Sequence, residues 1–231
     1  MTEPRPSADW PEDPYPGTWP DHSYVVDHDA LVHVVEPDAS APSGWVVRSG
    51  STPTCLDDWL GERGAVPLVE RSPVLSFGSN RCPAKVVRQG GPMLNLRCTA
   101  AGLSAVWSHG TRGDGQVVAT LVAAEGHEEE EFFVSMCTAE DIALLDVVEG
   151  RGTGYDLVPL EQGQVLLEDG TEPEGLQAYV GLAPHRWPVA GEDGHPIALH
   201  AMTQADIARW RAEASPWEPE AAPGPFGPLL P

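Results

Sequence analysis

Short apolar runs of about four to eight residues recur along most of the chain, the length expected of strands. Glycine and proline interrupt them, with 24 of each among 231 residues. Two stretches have the start signals of a longer helix, residues 138–148 in the centre of the chain and residues 203–214 near its end. We therefore expect an α+β fold, with a small mixed or antiparallel, barrel-like sheet and a few helices.

The charge of the chain narrows the classes of partner. It has 13 Lys and Arg residues against 35 Asp and Glu residues, a net charge of −22. Such a chain repels phosphate groups, so we expect no nucleic-acid partner and no binding to anionic lipid. No apolar stretch approaches the length of about 18 residues that a membrane span needs. The first residues are acidic and proline-rich, unlike a signal peptide, so we expect a cytoplasmic protein.

Neither the cysteines nor the histidines have the spacing of a metal site. The cysteines are far apart and form no CxxC pair, so a zinc ribbon or redox pair is not indicated. Asp27, His28, Asp29 and His33 are close in sequence but lack a further ligand of suitable spacing. We therefore expect no metal and no cofactor. The four cysteines are Cys55, Cys82, Cys98 and Cys137.

The patterns divide the chain into three parts. Residues 1–71 are interpreted as an N-terminal extension, in which a Pro- and Trp-rich arm (residues 1–23) precedes short strands and a helix packed on the core. Residues 72–182 hold the regular strand pattern and the central helix. Residues 183–231 form a C-terminal extension with one helix and a Pro-rich tail.

The first candidate site is a strand, a tight turn and a short helix at residues 74–90. Gly78 can adopt a positive φ without steric cost, and consecutive backbone N–H groups in such a turn make a concave site for an anion. Ser79 and Asn80 could add side-chain hydrogen bonds. An ordinary turn, with Asn80 as a helix cap, remains the alternative.

The second candidate site is the end of the central helix. Thr138 and Asp141 have the spacing of a capping box. Ile142, Leu145 and Glu149 share one helix face, so a carboxylate lies at the end of an apolar stripe, a setting that suits a general base. The alternative is a frayed last turn that lets Glu149 reach water or cap a neighbouring amide.

Three segments, in this order, resemble the gamma-glutamylcyclotransferase-like family. The first is Phe77-Gly-Ser-Asn80, which matches the aromatic-Gly-Ser-Asn loop of the family. The second is Leu145-Asp-Val-Val-Glu-Gly150, followed by an aromatic residue at Tyr155. The third is Leu176-Gln-Ala-Tyr-Val180, which carries Tyr179. The resemblance covers residues 72–182, about half of the chain.

The resemblance implies a small mixed barrel and an enzyme that cleaves a γ-glutamyl amide into 5-oxoproline and a free amine. Glu149 would be the general acid/base, the amides of Gly78, Ser79 and Asn80 would hold the substrate, and Tyr155 and Tyr179 would line the pocket. The partner would be a small molecule with a γ-glutamyl or similar acidic group.

Two positions depart from the family pattern. Phe77 replaces a tyrosine, so one hydroxyl is missing. Arg81 replaces an apolar residue, and it would either bind a substrate carboxylate or pair with surface acids. Two alternatives to the enzyme stay open: a catalytically inactive member that binds a small molecule or a protein, and an interaction module that binds through its Trp- and Pro-rich arms. The sequence leaves the leaving amine and the oligomeric state undetermined.

Overall fold

A computed structural model describes residues 3–50, 52–89, 92–218 and 226–229. These residues form a mixed α+β fold with one large sheet, one small sheet and a few helices. The α-helices are short because the chain between strands offers few uninterrupted helix-forming stretches. They are α1 (Leu56–Gly61), α2 (Pro83–Val86), α3 (Ala139–Glu149) and α4 (Gln204–Trp210).

The strands follow the short apolar runs of the sequence. In chain order they are β1 (Arg5–Pro6), β2 (Tyr24–Val26), β3 (Leu31–Pro37), β4 (Trp45–Arg48), β5 (Thr54–Cys55), β6 (Ser72–Ser76), β7 (Met93–Ala100), β8 (Leu103–Thr111), β9 (Val117–Ala124), β10 (Glu130–Cys137), β11 (Tyr155–Pro159), β12 (Val165–Leu167), β13 (Gln177–Gly181) and β14 (Phe226–Gly227).

The large sheet runs in the order β11-β13-β6-β10-β7-β2-β3-β4-β5, with β1 beside β3 and β12 beside β7. Its neighbours are antiparallel except for β13 and β6, where Ala178 lies opposite Leu75 in a parallel pair. The strand β6 is therefore an interior strand, with β13 on one side and β10 on the other. This position fixes the turn that follows β6 within the body of the fold.

The strands β8, β9 and β14 form a separate, three-stranded sheet. The described strands of the large sheet run from β11 to β5 without closing on each other, so the expected barrel-like closure is not found. The small sheet instead packs against the large one. The backbone N–H of Gly181 in β13 donates to Thr120 Oγ1 in β9 at 2.9 Å, which brings the two sheets together beside β6.

The N-terminal residues add strands to the large sheet. The strand β2 pairs with β7, with Val25 opposite Leu94, and β3, β4 and β5 continue from it. Both residues of this pair are fully buried. The burial of a large aliphatic side chain stabilises a fold by about 1.5–3 kcal/mol, so this segment contributes to the common core.

The helix α3 begins and ends as its sequence predicts. Thr138 accepts a hydrogen bond from Asp141 N–H, and the Asp141 side chain accepts one from Thr138 N–H, which completes the capping box. Gly150 ends the helix in the left-handed region with φ 64°, a conformation that glycine adopts without a Cβ penalty. Leu145 is buried against the core, so the helix is held at a fixed orientation up to Glu149.

Within the described part of the chain, none of the helices is both long enough and apolar enough to span a bilayer.

Candidate functional site

A cavity of about 100 Å³ lies between the end of β6, the end of α3 and the strand β9. This is several times the space that one ordered water needs, so a small molecule can enter it. Both candidate sites of the sequence meet here. The lining residues are Tyr15, Phe77, Gly78, Ser79, Lys85, Arg112, Val118, Ala119, Val148, Glu149, Tyr155, Tyr179 and Arg186.

The turn after β6 forms one wall of the cavity. Ser79–Arg81 make a single 3₁₀ turn, and Pro83 begins α2 at the position where a helix tolerates proline. Gly78 has φ −107°, so the turn does not use the positive φ that glycine allows. The glycine is needed for space instead, because a Cβ at this position would overlap the hydroxyl oxygen of Tyr15.

Glu149 and Asn80 join the two candidate sites. Asn80 Nδ2 donates a hydrogen bond of 3.0 Å to Glu149 Oε1. The Asn80 side chain therefore orients the carboxylate and does not cap the following helix, for which no side-chain cap is present. Glu149 is half-buried and contributes to the cavity wall. A carboxylate in such a position can accept or return a proton at a bound molecule.

Tyr155 and Tyr179 are both in the cavity wall, and both donate their hydroxyl protons to the protein. Tyr155 donates to the carbonyl oxygen of Ala119 at 2.8 Å, and Tyr179 donates to Asp146 Oδ1 at 2.7 Å. Burial raises the pKa of each phenol, and the Asp146 carboxylate raises the pKa of Tyr179 further. These two residues therefore supply rings and fixed hydrogen bonds to the wall.

Three cationic side chains that the sequence analysis did not single out also line the cavity. Lys85 in α2 donates from Nζ to Ser79 Oγ at 3.0 Å, and burial lowers its pKa. The guanidinium groups of Arg112 and Arg186 lie over the rings of Tyr15 and Tyr155, at 5.5 and 5.4 Å from the ring centres. Lys85 is the only lysine of the chain.

Tyr15 also lines the cavity, although it belongs to the N-terminal arm. Its hydroxyl oxygen accepts a hydrogen bond of 2.9 Å from Ala119 N–H. Its ring is buried and lies 6.0 Å from the ring of Trp107. No local pattern in the arm indicates this position, because the contact joins residues 104 apart in sequence.

Two departures from the family pattern have different outcomes. Phe77 is buried and lines the cavity without a hydroxyl. Arg81 is not among the described residues of the cavity wall. Its guanidinium lies 3.5 Å from the ring centre of Trp19 and donates to the carbonyl oxygen of Glu131 at 3.1 Å. Burial lowers the pKa of Arg81 to about 10. Stacking on Trp19 directs the Arg81 side chain away from this cavity.

The sequence cluster of Asp27 and His33 is a buried pair. His33 Nε2 and Asp27 Oδ2 are 2.7 Å apart, and the His33 ring packs edge-on against Trp59. Over the residues that the structure describes, no group of three or more His, Cys, Asp or Glu side chains is arranged to hold a metal ion. The four cysteines are free thiols.

No family model matches the chain, and no curated protein matches it. Among solved structures, a gamma-glutamyl cyclotransferase matches over 64% of this chain and 89% of its own, with 13% sequence identity and a TM-score of 0.43. The solution structure of At5g39720.1 from Arabidopsis thaliana matches over 62% of this chain and 82% of its own, with 17% identity and a TM-score of 0.39. The first of these names is that of the family which the three sequence segments resemble.

Proposed function

We propose that this protein is a cyclotransferase-like enzyme that cleaves a γ-glutamyl amide by intramolecular aminolysis. The observation that carries the proposal is the shared cavity of Glu149 and the Gly78–Asn80 turn, joined by the hydrogen bond from Asn80 to Glu149. The resemblance of the three sequence segments supplies the reaction, and the cavity supplies a place where its groups meet.

In this reaction Glu149 removes a proton from the α-ammonium group of the substrate. The free amine then attacks the γ-carbonyl carbon and closes a five-membered ring. The amide bond to the leaving amine breaks as the tetrahedral intermediate collapses, and Glu149 returns its proton to that amine. The ring nitrogen keeps one hydrogen in 5-oxoproline and releases its other proton to solvent. The products are 5-oxoproline and a free amine. Glu149 serves as base and then as acid, a role typically worth 10²–10⁴ in rate, by an order-of-magnitude estimate.

The oxygen of the attacked carbonyl becomes negative during ring closure. In the proposal it lies at the turn after β6, where the first N–H groups of the 3₁₀ segment have no acceptor within that segment. Hydrogen-bond donors aimed at developing charge lower the barrier most in a site that excludes water. The rings of Phe77, Tyr155 and Tyr179 surround this region.

The charges of the cavity wall support an acidic substrate. Lys85, Arg112 and Arg186 provide three cations against the single carboxylate of Glu149, in a chain whose net charge is −22. A cluster of cations on so acidic a chain attracts an anionic small molecule and holds its carboxylate. We therefore propose that the α-carboxylate of the γ-glutamyl group lies near Lys85, where α2 meets the cavity.

The test is a screen of γ-glutamyl amides, γ-glutamylalanine and glutathione among them, with detection of 5-oxoproline. The wild type should form 5-oxoproline from at least one compound. Glu149→Gln should reduce kcat by about 10²–10⁴ while the protein stays folded. Glu140→Gln is the matched control, because Glu140 is exposed on the same helix; its rate should equal that of the wild type.

The same cations also favour the catalytically inactive alternative, in which the cavity binds an acidic small molecule without cleaving it. A wild type that forms no 5-oxoproline, but whose melting temperature rises with a γ-glutamyl compound, would replace the enzyme with this binding protein. Equal rates for Glu149→Gln and the wild type would remove Glu149 from the reaction.

A further inference from the structure

We infer that Tyr15 of the N-terminal arm is a catalytic residue, which donates a hydrogen bond from its phenolic hydroxyl to the carbonyl oxygen of the substrate at the Gly78 turn. The inference rests on the proposed function, because it assigns a donor to the oxygen that becomes negative in that reaction. It concerns a segment that lies outside the residues that resemble the family.

The hydroxyl groups of the three cavity tyrosines differ in their hydrogen bonds. Tyr155 and Tyr179 donate theirs to Ala119 O and Asp146 Oδ1. Tyr15 oxygen instead accepts a hydrogen bond, from Ala119 N–H, and no acceptor for its own proton is found within the described parts of the chain. An accepted bond occupies one side of the oxygen, so the proton is directed to another side. Of the three cavity tyrosines described, Tyr15 alone keeps its proton available for a ligand.

The Tyr15 hydroxyl lies directly beside the turn at Gly78. It occupies the space beside Gly78 Cα that a side chain would fill. The absence of a Cβ on Gly78 therefore lets a phenol from another part of the chain approach the turn. A substrate oxygen held by the turn lies beside this donor.

Hydrogen bonds and an ion pair fix the N-terminal arm around Tyr15. Tyr15 N–H donates to Gln116 Oε1, and Gln116 Nε2 donates to Asp13 Oδ1 at 2.6 Å. Glu12 pairs with Arg88, and Cys82 Sγ donates to the carbonyl oxygen of Trp10 at 3.1 Å. These contacts hold the arm at Tyr15 itself and at the residues just before it. A donor that is already in place stabilises charge without reorganisation.

The protonation state of the Tyr15 phenol also suits a hydrogen-bond donor. Burial raises the pKa of Tyr15 to about 12, and the Glu149 charge adds to this effect. The Ala119 N–H and the guanidinium groups of Arg81 and Arg112 oppose it. The phenol therefore stays protonated, and able to donate, through the whole range in which an enzyme is assayed.

The test compares Tyr15→Phe with the wild type on the γ-glutamyl compound that the wild type cleaves best. We expect kcat to fall by about 10²–10³, the usual effect of one lost oxyanion donor, with KM changed much less. Tyr24→Phe is the matched control. Tyr24 is a buried tyrosine whose hydroxyl donates to Arg81 O at 2.9 Å, and it is not among the described residues of the cavity wall. Its kcat should stay within about threefold of the wild type.

A second variant keeps the hydroxyl and so does not depend on the folding of Tyr15→Phe. Site-specific replacement of Tyr15 by 3,5-difluorotyrosine lowers the pKa of the phenol, because fluorine withdraws electron density from the ring. The pH above which kcat falls should then be lower than in the wild type. The same replacement at Tyr24 should leave the pH profile unchanged.

The two ways of failing are distinct. A wild type that forms no 5-oxoproline overturns the proposed function and the Tyr15 role with it. An active wild type, with a Tyr15→Phe kcat within threefold of its own, overturns the Tyr15 role alone. An unchanged alkaline pH profile in the fluorinated variant has the same meaning, because a purely structural phenol would not alter it.

Discussion

Asn80 and Glu149 are separated by 69 residues, and the Asn80 amide donates a hydrogen bond of 3.0 Å to Oε1 of Glu149. The bond connects the turn after β6 to the last residue of α3. It is the contact through which two separate sequence motifs become one site. Oδ1 of Asn80 is buried without a partner in the described structure, so the donated bond is what fixes the amide.

Asn80→Ala should reduce kcat by about 10-fold to 100-fold, because a carboxylate free to rotate is displaced from its reacting position. The Glu149→Gln and Asn80→Ala changes should not be additive, since the amide acts through the carboxylate. The double variant should therefore be no slower than Glu149→Gln alone in the 5-oxoproline assay. Fully multiplicative losses would show that Asn80 acts independently of Glu149.

Gly78→Ala should destabilise the wild type by about 1–3 kcal/mol, as overpacking does, because the new methyl group meets the Tyr15 hydroxyl. In a Tyr15→Phe background that oxygen is gone. The nearest remaining atom is then the ring carbon that carried it, 3.5 Å from the new Cβ. The cost should then be smaller. Urea unfolding of the four proteins in the double-mutant cycle measures the coupling.

The control for this cycle is Gly113→Ala, because a Cβ at Gly113 would meet no atom within 4 Å. Its free energy of unfolding should be close to that of the wild type in both backgrounds. Equal costs of Gly78→Ala with and without the Tyr15 hydroxyl would contradict the close approach of the arm.

Lys85→Met should weaken substrate binding, seen as a higher KM, and should leave the protein at least as stable at pH 7. Burial lowers the pKa of Lys85 in the folded state, so its charge costs stability wherever the unfolded chain is protonated. As the pH rises towards the ordinary value of 10.5, the folded state releases this proton first. The unfolding free energy of the wild type should therefore increase relative to Lys85→Met over that range.

Because Lys85 is the only lysine, no other lysine contributes to this difference. Lys85→Arg serves as control: arginine keeps its charge throughout the range, so its stability relative to Lys85→Met should not change with pH. Parallel stability curves for wild type and Lys85→Met, measured by denaturant unfolding from pH 7 to pH 10.5, would be inconsistent with a buried ammonium group.

Gln116→Leu should release the N-terminal arm, because Gln116 accepts the Tyr15 N–H and donates to Asp13. Hydrogen–deuterium exchange of the peptide around Tyr15 should become faster. Gln204→Leu is the matched control, since Gln204 bonds to Val117 through N–H and carbonyl groups without touching the arm. Unchanged exchange in Gln116→Leu would mean that other contacts hold the arm.

Local patterns predicted the elements that build the site. The capping box at Thr138 is present, α3 ends at Glu149, and β6 precedes the turn at Gly78. These features depend on neighbours within a few residues, which a sequence displays directly. The meeting of Glu149 and Asn80 was expected only through the family resemblance, because periodicity does not specify which distant segments touch.

The contributions of Tyr15, Lys85, Arg112 and Arg186 were missed for the same reason. Each reaches the cavity from an element whose position depends on the whole fold. Arg81 was assigned to the pocket from its place in the chain, but the direction of its side chain is determined by Trp19 and by the carbonyl of Glu131. The expected barrel is not confirmed, because β8, β9 and β14 pair with each other and the large sheet stays open in the described residues.

The pairing of β2 with β7 has a practical consequence for anyone who trims the protein to residues 72–182, the part that matches a known pattern. Such a fragment would expose the Met93–Asn95 edge of β7, and an unpaired strand edge promotes aggregation. It would also lack the phenol beside Gly78. Inactivity or aggregation of this fragment would therefore not bear on the intact protein. Activity should be assayed on a chain that includes its first seventy residues.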